Sequence, residues 1–499
     1  MKRLFSTTLF FLFLLTSISA QDFTLPEHFD RTVVTSHEVT VNGSKIPYSA
    51  TTGFQPVIDE DGNEIAALNY TYYRRTDIKD DTRRPLLISF NGGPGSASVW
   101  MHLAYTGPKV LRIDDEGFPI QPYGVKDNPH TVLDVADIVF VNPVNTGYSR
   151  VLDPETDTKQ FFGVNQDIAY LSEWINLFVT RTNRWRSPKY LIGESYGTTR
   201  VSGLALALQS RQWMYLNGVI LVSPTELGIH NGNGRREGPL GASLRLPYFT
   251  AAAWYHEKLP SDLQSKDLDE VLLMAESYAV DELMPVIAKG GFVTDAEKEA
   301  AAEMMARYSG ISKKVILQHN LDVPASFFWK ELLRDEGHTV GRLDSRYKGL
   351  DRTDAGIRPD FNSELTSWLH SFTPAVNYYF RNHLNFKTDL KYNMFGSVRP
   401  WDSSGDNTGE NLRQAMAQNP YLHTMVQSGY YDGATKYFDA KYTMWQIDPS
   451  GKMKDRFSFK GYRSGHMMYL RAEDLKNAND DIREFIEISL PAAGTPAKY

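Results

Sequence analysis

The chain has 499 residues, 41% of them hydrophobic, so it can bury a large core and hold more than one domain. It contains no cysteine, which excludes disulfides, thiol catalysis and cysteine-based metal sites. The formal net charge is −7 and no stretch is rich in Lys and Arg, so we expect no nucleic-acid partner.

The first 20 residues are predicted to be a secretory signal peptide. Lys2 and Arg3 precede an apolar run at residues 9–15, and residues 16–20 are mostly small, which predicts cleavage after Ala20. The apolar run is too short to span a membrane, and no cysteine is present for lipid attachment, so no membrane anchor is expected. We therefore expect an exported protein, periplasmic or secreted, and the lack of cysteines favours a bacterial origin.

The next part of the chain predicts antiparallel strands that lead into an α/β sheet. Residues 33–75 have strand patterns, with turn sequences at Asn42-Gly43 and at residues 61–63. Three later apolar runs are typical of buried parallel strands: 85–90, 136–141 and 218–222. Between the last two runs, a helix is predicted by apolar residues at helical spacing, namely Ile168, Leu171, Ile175 and Phe178.

A glycine-rich turn follows the strand at 85–90. It consists of Asn91-Gly92-Gly93-Pro94-Gly95-Ser96-Ala97-Ser98. Few side chains cover its backbone N–H groups, which suits an oxyanion hole. A phosphate-binding loop is disfavoured because no Gly-Lys-Ser/Thr sequence closes the turn.

The pentapeptide Gly193-Glu194-Ser195-Tyr196-Gly197 has the sequence of a nucleophile elbow, in which a reactive serine stands where a strand turns tightly into a helix. Residues 190–192 are apolar and predict the strand, while residues 198–209 are rich in Leu and Ala and predict the helix. Glycine is required on both sides because a larger side chain would clash in this turn. We therefore expect the hydroxyl of Ser195 at the carboxyl edge of the sheet.

Residues 226–374 lose the strand patterns and gain helical ones, as in a helical cap inserted into a sheet. Thr294-Asp295-Ala296-Glu297 is a capping-box sequence that begins one of these helices. Several aromatic residues could line a substrate pocket or form only the cap's core: Phe249, Trp254, Tyr255, Phe327, Phe328 and Trp329. Arg342 and Arg346 could meet a substrate carboxylate or form an ion pair with Asp344.

Two further candidates follow the ends of strands in the last part of the chain. Residues 421–427 predict a strand that leads to Asp432, and residues 456–462 predict one that leads to His466. The order serine, acid, histidine is that of an elbow-based triad, in which His466 takes the proton of Ser195 and Asp432 orients the imidazole. The other histidines are expected to be ordinary, including His102, His130, His230 and His423, and His256-Glu257 lacks the second histidine of a zinc motif.

Five motifs, in order and within residues 85–470, resemble those of the serine carboxypeptidases, peptidase family S10. The motifs are Asn91-Gly92-Gly93-Pro94-Gly95, Asn142-Pro143-Val144-Asn145-Thr146-Gly147-Tyr148-Ser149, Gly193-Glu194-Ser195-Tyr196-Gly197, Ser428-Gly429-Tyr430-Tyr431-Asp432 and Gly465-His466-Met467. The resemblance implies an α/β-hydrolase fold, α/β with a central, mostly parallel sheet and a helical cap. We expect domain boundaries at 21–225 and 375–499 for the two parts of the catalytic domain and at 226–374 for the cap.

The resemblance also implies an activity and its residues. It implies removal of C-terminal amino acids from peptides through an acyl-enzyme on Ser195, with no metal or organic cofactor. The amides of Gly93 and Tyr196 would form the oxyanion hole. Asn91, Gly92 and Glu194 would bind the terminal carboxylate of the substrate.

One departure from the family concerns Glu194. A carboxyl group donates a hydrogen bond only when it is protonated, which requires burial or a second carboxyl nearby. The eukaryotic members have a Glu just before a Gly-Pro pair, but residues 103–108 contain no acid here. Glu194 could therefore also be a polar residue that only satisfies backbone groups at the elbow.

Two other functions stay open on the sequence. An esterase or acyltransferase could use the same fold, since an acyl-enzyme can pass its acyl group to any nucleophile that the cap admits. A non-catalytic binding protein of hydrolase descent is disfavoured because candidates for all three triad members are present.

Overall fold

The computed structural model describes residues 32–153, 155–229 and 238–499. The predicted signal peptide and His230 lie outside these residues. The strands are β1 Thr32–Val41, β2 Ser44–Ile58, β3 Glu64–Arg75, β4 Leu86–Phe90, β5 Lys109–Leu111, β6 Val125–Asp127, β7 Asp137–Val141, β8 Arg150–Val151, β9 Lys189–Glu194, β10 Gly218–Val222, β11 Thr339–Val340, β12 Lys348–Gly349, β13 His423–Gly429 and β14 Phe457–Tyr462.

The α-helices are α1 Val99–Ala104, α2 Val164–Arg181, α3 Tyr196–Arg211, α4 Gly238–Leu244, α5 Leu246–Tyr255, α6 Ser261–Gln264, α7 Leu268–Ser277, α8 Met284–Ala288, α9 Asp295–Ser309, α10 Lys313–Gln318, α11 Ala325–Glu331, α12 Ser363–Tyr378, α13 Thr408–Gln418, α14 Tyr437–Ile447 and α15 Ala472–Ser489. Among the described residues, no helix is long and apolar enough to cross a bilayer.

A ten-stranded sheet organises the molecule, in the order β1-β2-β3-β7-β4-β9-β10-β13-β14 with β8 paired to β3. The pairs from β7 to β14 are parallel, whereas β1, β2 and β3 are antiparallel to one another and β3 is antiparallel to β7. The parallel strands β4, β7, β9 and β10 are buried along their whole length, as expected for strands covered on both faces. The strand predictions at 85–90, 136–141 and 218–222 are confirmed.

Helices cover both faces of this sheet. On one face, Leu171 of α2 and Leu204 of α3 pack in a core with Leu191 of β9. On the other, Phe372 of α12 and Ile482 of α15 join a core that includes other residues of the same strands. Since all parallel strands end at one edge, the loops that follow β4, β9, β13 and β14 meet there.

Where the structure describes it, the segment between β10 and α12 is mainly helical, with only the short strand pair β11 and β12. Its helices bury an apolar core of their own. The capping box before α9 is present, since Thr294 and Glu297 exchange side-chain and backbone hydrogen bonds. Helix α12 runs across the expected boundary at residue 374, and its Trp368 and Phe372 pack in the core under the sheet.

A buried ion network lies at the opposite edge of the sheet from these loops. Asp137, at the start of β7, accepts from Arg84 Nε at 2.7 Å and from Arg184 Nη1 at 2.5 Å. Arg184 is fully buried and also donates to Tyr72 Oη at 2.6 Å. The network links the starts of neighbouring strands to the segment before β9, so it fixes the sheet without touching the loops at the other edge.

Asp137→Ala is expected to lower the free energy of unfolding by about 3 to 5 kcal/mol, because it leaves the buried Arg184 cation without its carboxylate. Urea unfolding measures the change. Glu270→Ala, which breaks an exposed pair with Lys266, is the control and should leave stability nearly unchanged. If the free energy of unfolding of Asp137→Ala falls by only about 1 kcal/mol, water solvates the Arg184 cation in place of the missing carboxylate.

Candidate active site

Ser195 stands on a tight turn between β9 and α3. Its φ is 57° and its ψ −127°, a strained conformation that non-glycine residues rarely adopt. A Cβ on Gly193 would lie 2.1 Å from the carbonyl oxygen of Gly197, and one on Gly197 would lie 2.9 Å from that of Phe90. Both positions therefore require glycine, and the partly exposed serine is held at the carboxyl edge of the sheet.

Asp432 and His466 form a buried pair beyond β13 and β14. Asp432 Oδ2 lies 2.6 Å from His466 Nδ1, while Asp432 Oδ1 accepts from the amides of Ala434 at 2.8 Å and Thr435 at 3.1 Å. Burial alone would lower the pKa of His466, but the Asp432 carboxylate outweighs it and raises that pKa above its usual value. The carboxylate thus fixes the ring through Nδ1 and leaves Nε2 as the nitrogen available for proton transfer.

The loop after β10 joins the serine to this pair. The amide of Ser195 donates to the carbonyl of Val222 at 3.0 Å, and Ser223 Oγ donates to the carbonyl of His466 at 2.7 Å. Thr435 Oγ1 donates to the carbonyl of Ser223 at 2.9 Å. Two consecutive residues at the end of β10 therefore anchor the backbone of Ser195 and the backbone of His466. No sequence motif predicted a role for Ser223.

The glycine-rich turn lies directly against the elbow. A Cβ on Gly92 would lie 2.5 Å from the amide nitrogen of Tyr196, so only glycine permits this approach. Gly93 has a φ of 111°, in the region that favours glycine. Within the described parts of the chain, neither the amide of Gly93 nor that of Tyr196 donates a hydrogen bond to another protein group. Both donors are available to an oxyanion.

Asn91 and Glu194 lie together beneath this turn. Asn91 Nδ2 donates to Glu194 Oε1 at 3.0 Å, and the hydroxyl of Tyr469 donates to Glu194 Oε2. Burial raises the pKa of Glu194 to about 7, although His466 and the two hydrogen bonds act in the opposite direction. Glu194 can therefore exist in either protonation state near neutral pH.

Two tyrosines occupy the surroundings of Glu194, where the family's second acid is absent. Tyr469 lies three residues after His466, and its ring stacks on Tyr105 with ring centroids 4.7 Å apart. Tyr105 belongs to the acid-free stretch 103–108. Neither tyrosine belongs to a motif that predicted the site. The signal that could have found Tyr469 is the buried Glu194, which needs a donor for each oxygen.

A cavity of about 390 Å³ opens beside the elbow. Pro94 of the glycine-rich turn, Tyr196 of the elbow and Thr435 beside His466 all line it. Trp401 forms another wall, edge-on to Tyr196 with ring centroids 5.2 Å apart. The cavity therefore gives access to the residues that surround the reactive groups.

The cap reaches this site through few of the aromatic candidates. Phe249 and Phe328 stack on each other, with ring centroids 3.9 Å apart, in the cap's own core. Trp329 instead donates to Tyr248 Oη at 2.9 Å, and both groups lie against Gly433, next to Asp432.

Trp254 donates to the carbonyl of Lys266, and Phe327 packs on His319. Tyr255 contacts Tyr431, just before Asp432.

The two arginines of the cap differ in environment. Arg346 is buried and pairs with Asp344 at 2.7 Å, the ion pair considered from the sequence. Arg342 is exposed, and among the described residues its guanidinium has no hydrogen bond or ion pair. Its carbonyl accepts from the amide of Gly433 at 2.9 Å, and its charge acts on the pKa of His466. Arg342 is therefore a cation close to the imidazole.

Three of the histidines expected to be ordinary have structural surroundings. His102 is buried beside Tyr73 Oη, 2.6 Å from its Nε2, and burial lowers its pKa to about 3. His423 Nδ1 lies 3.0 Å from the carbonyl of Tyr421 at the start of β13. His130 is partly buried in the loop before β7. In the described ranges, no group of three or more histidine and acidic side chains could hold a metal ion.

Comparison with known proteins identifies relatives of this chain. The sequence model of the serine carboxypeptidase family matches residues 44–279. Serine carboxypeptidase-like 8 of Arabidopsis thaliana is 25% identical over 205 residues, which is 41% of this chain and 44% of that protein. The pheromone-processing carboxypeptidase KEX1 of Ogataea parapolymorpha is 35% identical over 184 residues, 36% of this chain and 27% of that protein. The matched region is thus less than half the length of these relatives.

A solved structure extends the comparison to the whole fold. The crystal structure of Kex1(delta)p, a prohormone-processing carboxypeptidase from Saccharomyces cerevisiae, superposes with a TM-score of 0.51 at 13% identity. The superposition covers 89% of this chain and 92% of that one. The predicted α/β-hydrolase fold, with a central, mostly parallel sheet, is confirmed. Over residues 44–279 the chain therefore matches the serine carboxypeptidase family, peptidase family S10, and its fold is that of a solved carboxypeptidase.

Proposed function

We propose that this protein is a serine carboxypeptidase that removes C-terminal amino acids from peptides. The observation that carries the proposal is the meeting of four loops, those after β4, β9, β13 and β14, at one edge of the sheet. They bring a strained serine, an imidazole 2.6 Å from a buried carboxylate, and two amides without protein acceptors to one place. The family match supports a peptidase, and this arrangement supports serine chemistry.

In the proposed reaction, Ser195 Oγ attacks the carbonyl carbon of the last peptide bond while His466 Nε2 takes its proton. The oxyanion accepts hydrogen bonds from the amides of Gly93 and Tyr196. His466 returns the proton to the amide nitrogen, the C–N bond breaks, and the C-terminal amino acid leaves. Water, deprotonated by His466, then attacks the acyl-enzyme, releases the shortened peptide as a carboxylic acid and restores Ser195.

Recognition of the terminal carboxylate is assigned to Asn91, Gly92 and Glu194. Gly92 and Asn91 lie on the turn beside the oxyanion hole, and Glu194 precedes the nucleophile. Protonated Glu194 can donate a hydrogen bond to a carboxylate, whereas ionised Glu194 would repel it. Arg342 adds a positive charge at the cap side of His466.

An esterase or acyltransferase is the second candidate. The observation in its favour is that, among the described residues, Glu194 has only the neutral hydrogen-bond donors Asn91 and Tyr469 and no second carboxyl with which to share a proton. A site that accepts carboxylates weakly would act on neutral acyl groups as well. Export, cleavage after Ala20 and a bacterial origin stay predictions from the sequence.

Three substrates with the same acyl part separate these functions: a peptide with a free C-terminus, its C-terminal amide and an aryl ester. For a carboxypeptidase, kcat/KM for the free acid should exceed that for the amide about 10- to 100-fold, the effect of one hydrogen bond to a charged group. Mass spectrometry of the products checks that cleavage begins at the carboxyl end. Equal rates for the acid and the amide would contradict carboxylate recognition. Cleavage of the ester alone would favour the esterase.

A further inference from the structure

Glu194 is an acid surrounded by neutral hydrogen-bond donors. Its side chain is buried, with 4% of the residue exposed. Oε1 accepts from the amide of Asn91, and Oε2 accepts from the hydroxyl of Tyr469. Asn91 is itself fixed, because its Oδ1 accepts from the amide of Met101 at 3.1 Å and its carbonyl accepts from Arg200 at 2.6 Å. The carboxyl group therefore cannot turn away from the site.

The charged and titratable groups that face Glu194 come from several elements. His466 and Tyr469 belong to the segment after β14, Asp432 to the segment after β13, and Tyr105 to the end of α1. Arg200 lies on α3 behind Asn91, and its charge is balanced by Asp167 at 2.8 Å. Among the described residues near Glu194, Tyr469 is the one titratable side chain that hydrogen-bonds to its carboxyl group.

Tyr469 is held firmly enough to act on Glu194. It is 1% exposed, and its ring lies flat on that of Tyr105, with ring centroids 4.7 Å apart. A phenol in this position can donate to an ionised carboxylate or accept from a protonated carboxyl group. The Tyr469 hydroxyl can therefore hydrogen-bond to Glu194 in either protonation state. It adds no charge, because burial raises the pKa of Tyr469 well above its usual value.

We propose that Tyr469 is a positioning residue for substrate recognition: its hydroxyl orients Glu194 and sets the pH above which a terminal carboxylate is refused. The inference rests on the proposed carboxypeptidase function, because it concerns how the same site accepts its substrate. Tyr469 acts through Glu194 and does not itself touch the reacting atoms.

The direction of the effect follows from the hydrogen bond. As the pH rises, Glu194 loses its proton, and the ionised carboxylate repels that of the substrate, so KM rises for free-acid peptides. The pKa of about 7 places this limit near neutral pH. The Tyr469 hydrogen bond favours ionised Glu194 and so lowers its pKa, which means that removing the hydroxyl moves the limit to higher pH.

Tyr469→Phe is expected to shift the alkaline limit of kcat/KM for a free-acid peptide upward by about one pH unit, through KM rather than kcat. The C-terminal amide and the aryl ester carry no carboxylate, so their pH profiles should not move. Tyr105→Phe is the matched control, because it removes a buried hydroxyl that binds Gln427 and keeps the stacked ring. The alkaline limit of kcat/KM in Tyr105→Phe should coincide with that of the wild type.

A second substitution and a second readout make the test independent of folding and of turnover. 3-Fluorotyrosine at position 469 keeps the shape of the ring but is a stronger hydrogen-bond donor, so the limit should move to lower pH. Infrared titration of the protonated carboxyl band, identified by its loss in Glu194→Gln, should report the same two shifts directly.

The outcomes separate this inference from the proposed function. An unchanged limit in Tyr469→Phe, or an equal shift in Tyr105→Phe, would overturn the role of Tyr469 and leave the carboxypeptidase intact. If neither the wild type nor any variant cleaves a free-acid peptide, the proposed carboxypeptidase function is overturned. In that case the infrared band still decides whether Tyr469 sets the ionisation of Glu194.

Discussion

If Ser195 is the nucleophile of the proposed triad, Ser195→Ala is expected to lower kcat by about 10⁶-fold, the loss that follows removal of one member of an interdependent triad. The reason is geometric. The elbow places Ser195 alone at the point where β9 turns into α3, with the amides of Gly93 and Tyr196 beside it and with His466 anchored to the same β10 end. Without the hydroxyl no acyl-enzyme can form, and only the slow attack of water remains.

Labelling by a fluorophosphonate checks this prediction directly, since the probe reacts only with an activated serine. The wild type should be labelled and Ser195→Ala should not. Ser202→Ala is the control: Ser202 lies on α3, is fully buried, and its Oγ has no hydrogen-bond partner among the described residues. It should keep both labelling and kcat. No labelling of the wild type would favour a binding protein, and labelling of Ser195→Ala would place the nucleophile elsewhere.

Features that depend on neighbouring residues could be predicted from the sequence. The runs that become β4, β7 and β10 are buried on both faces, and apart from Ser89 and Asp137 their residues are apolar or glycine. Gly193 is required by a contact with Gly197 in the same turn, whereas Gly197 is required by its approach to Phe90 on β4, and the five-residue motif encodes both glycines. The positions of Asp432 and His466 followed from a rule of sheet topology, that loops after parallel strands meet at one edge.

Features that depend on pairs of distant residues could not be predicted. Tyr469 and Glu194 are 275 residues apart, and nothing in either local sequence indicates that they meet. The anchoring of His466 by Ser223 is of the same kind, since the two residues are 243 positions apart. The sequence could not show which aromatic residues of the cap lie near the site. Phe249 and Trp329 were both pocket candidates, but of these two only Trp329 lies against Gly433.

Asp432→Asn is expected to lower kcat by about 10⁴-fold with little change in KM, because the substitution enforces the wrong tautomer of His466. The amides of Ala434 and Thr435 both donate to Oδ1, so in the variant that position must be the amide oxygen. The NH₂ group then occupies the place of Oδ2 and donates to Nδ1 of His466. The ring proton moves to Nε2, which can no longer accept the proton of Ser195.

Nitrogen NMR of labelled histidine distinguishes this cause from a loss of structure, because it reports which ring nitrogen of His466 carries the proton. The proton should be on Nδ1 in the wild type and on Nε2 in Asp432→Asn. Asp480→Asn makes the same change at a partly exposed acid on α15 and should keep kcat. A variant Asp432→Asn that kept kcat within about tenfold would contradict the assignment, because orientation of the imidazole would then come from Thr435, whose Oγ1 lies 3.1 Å from the same Nδ1.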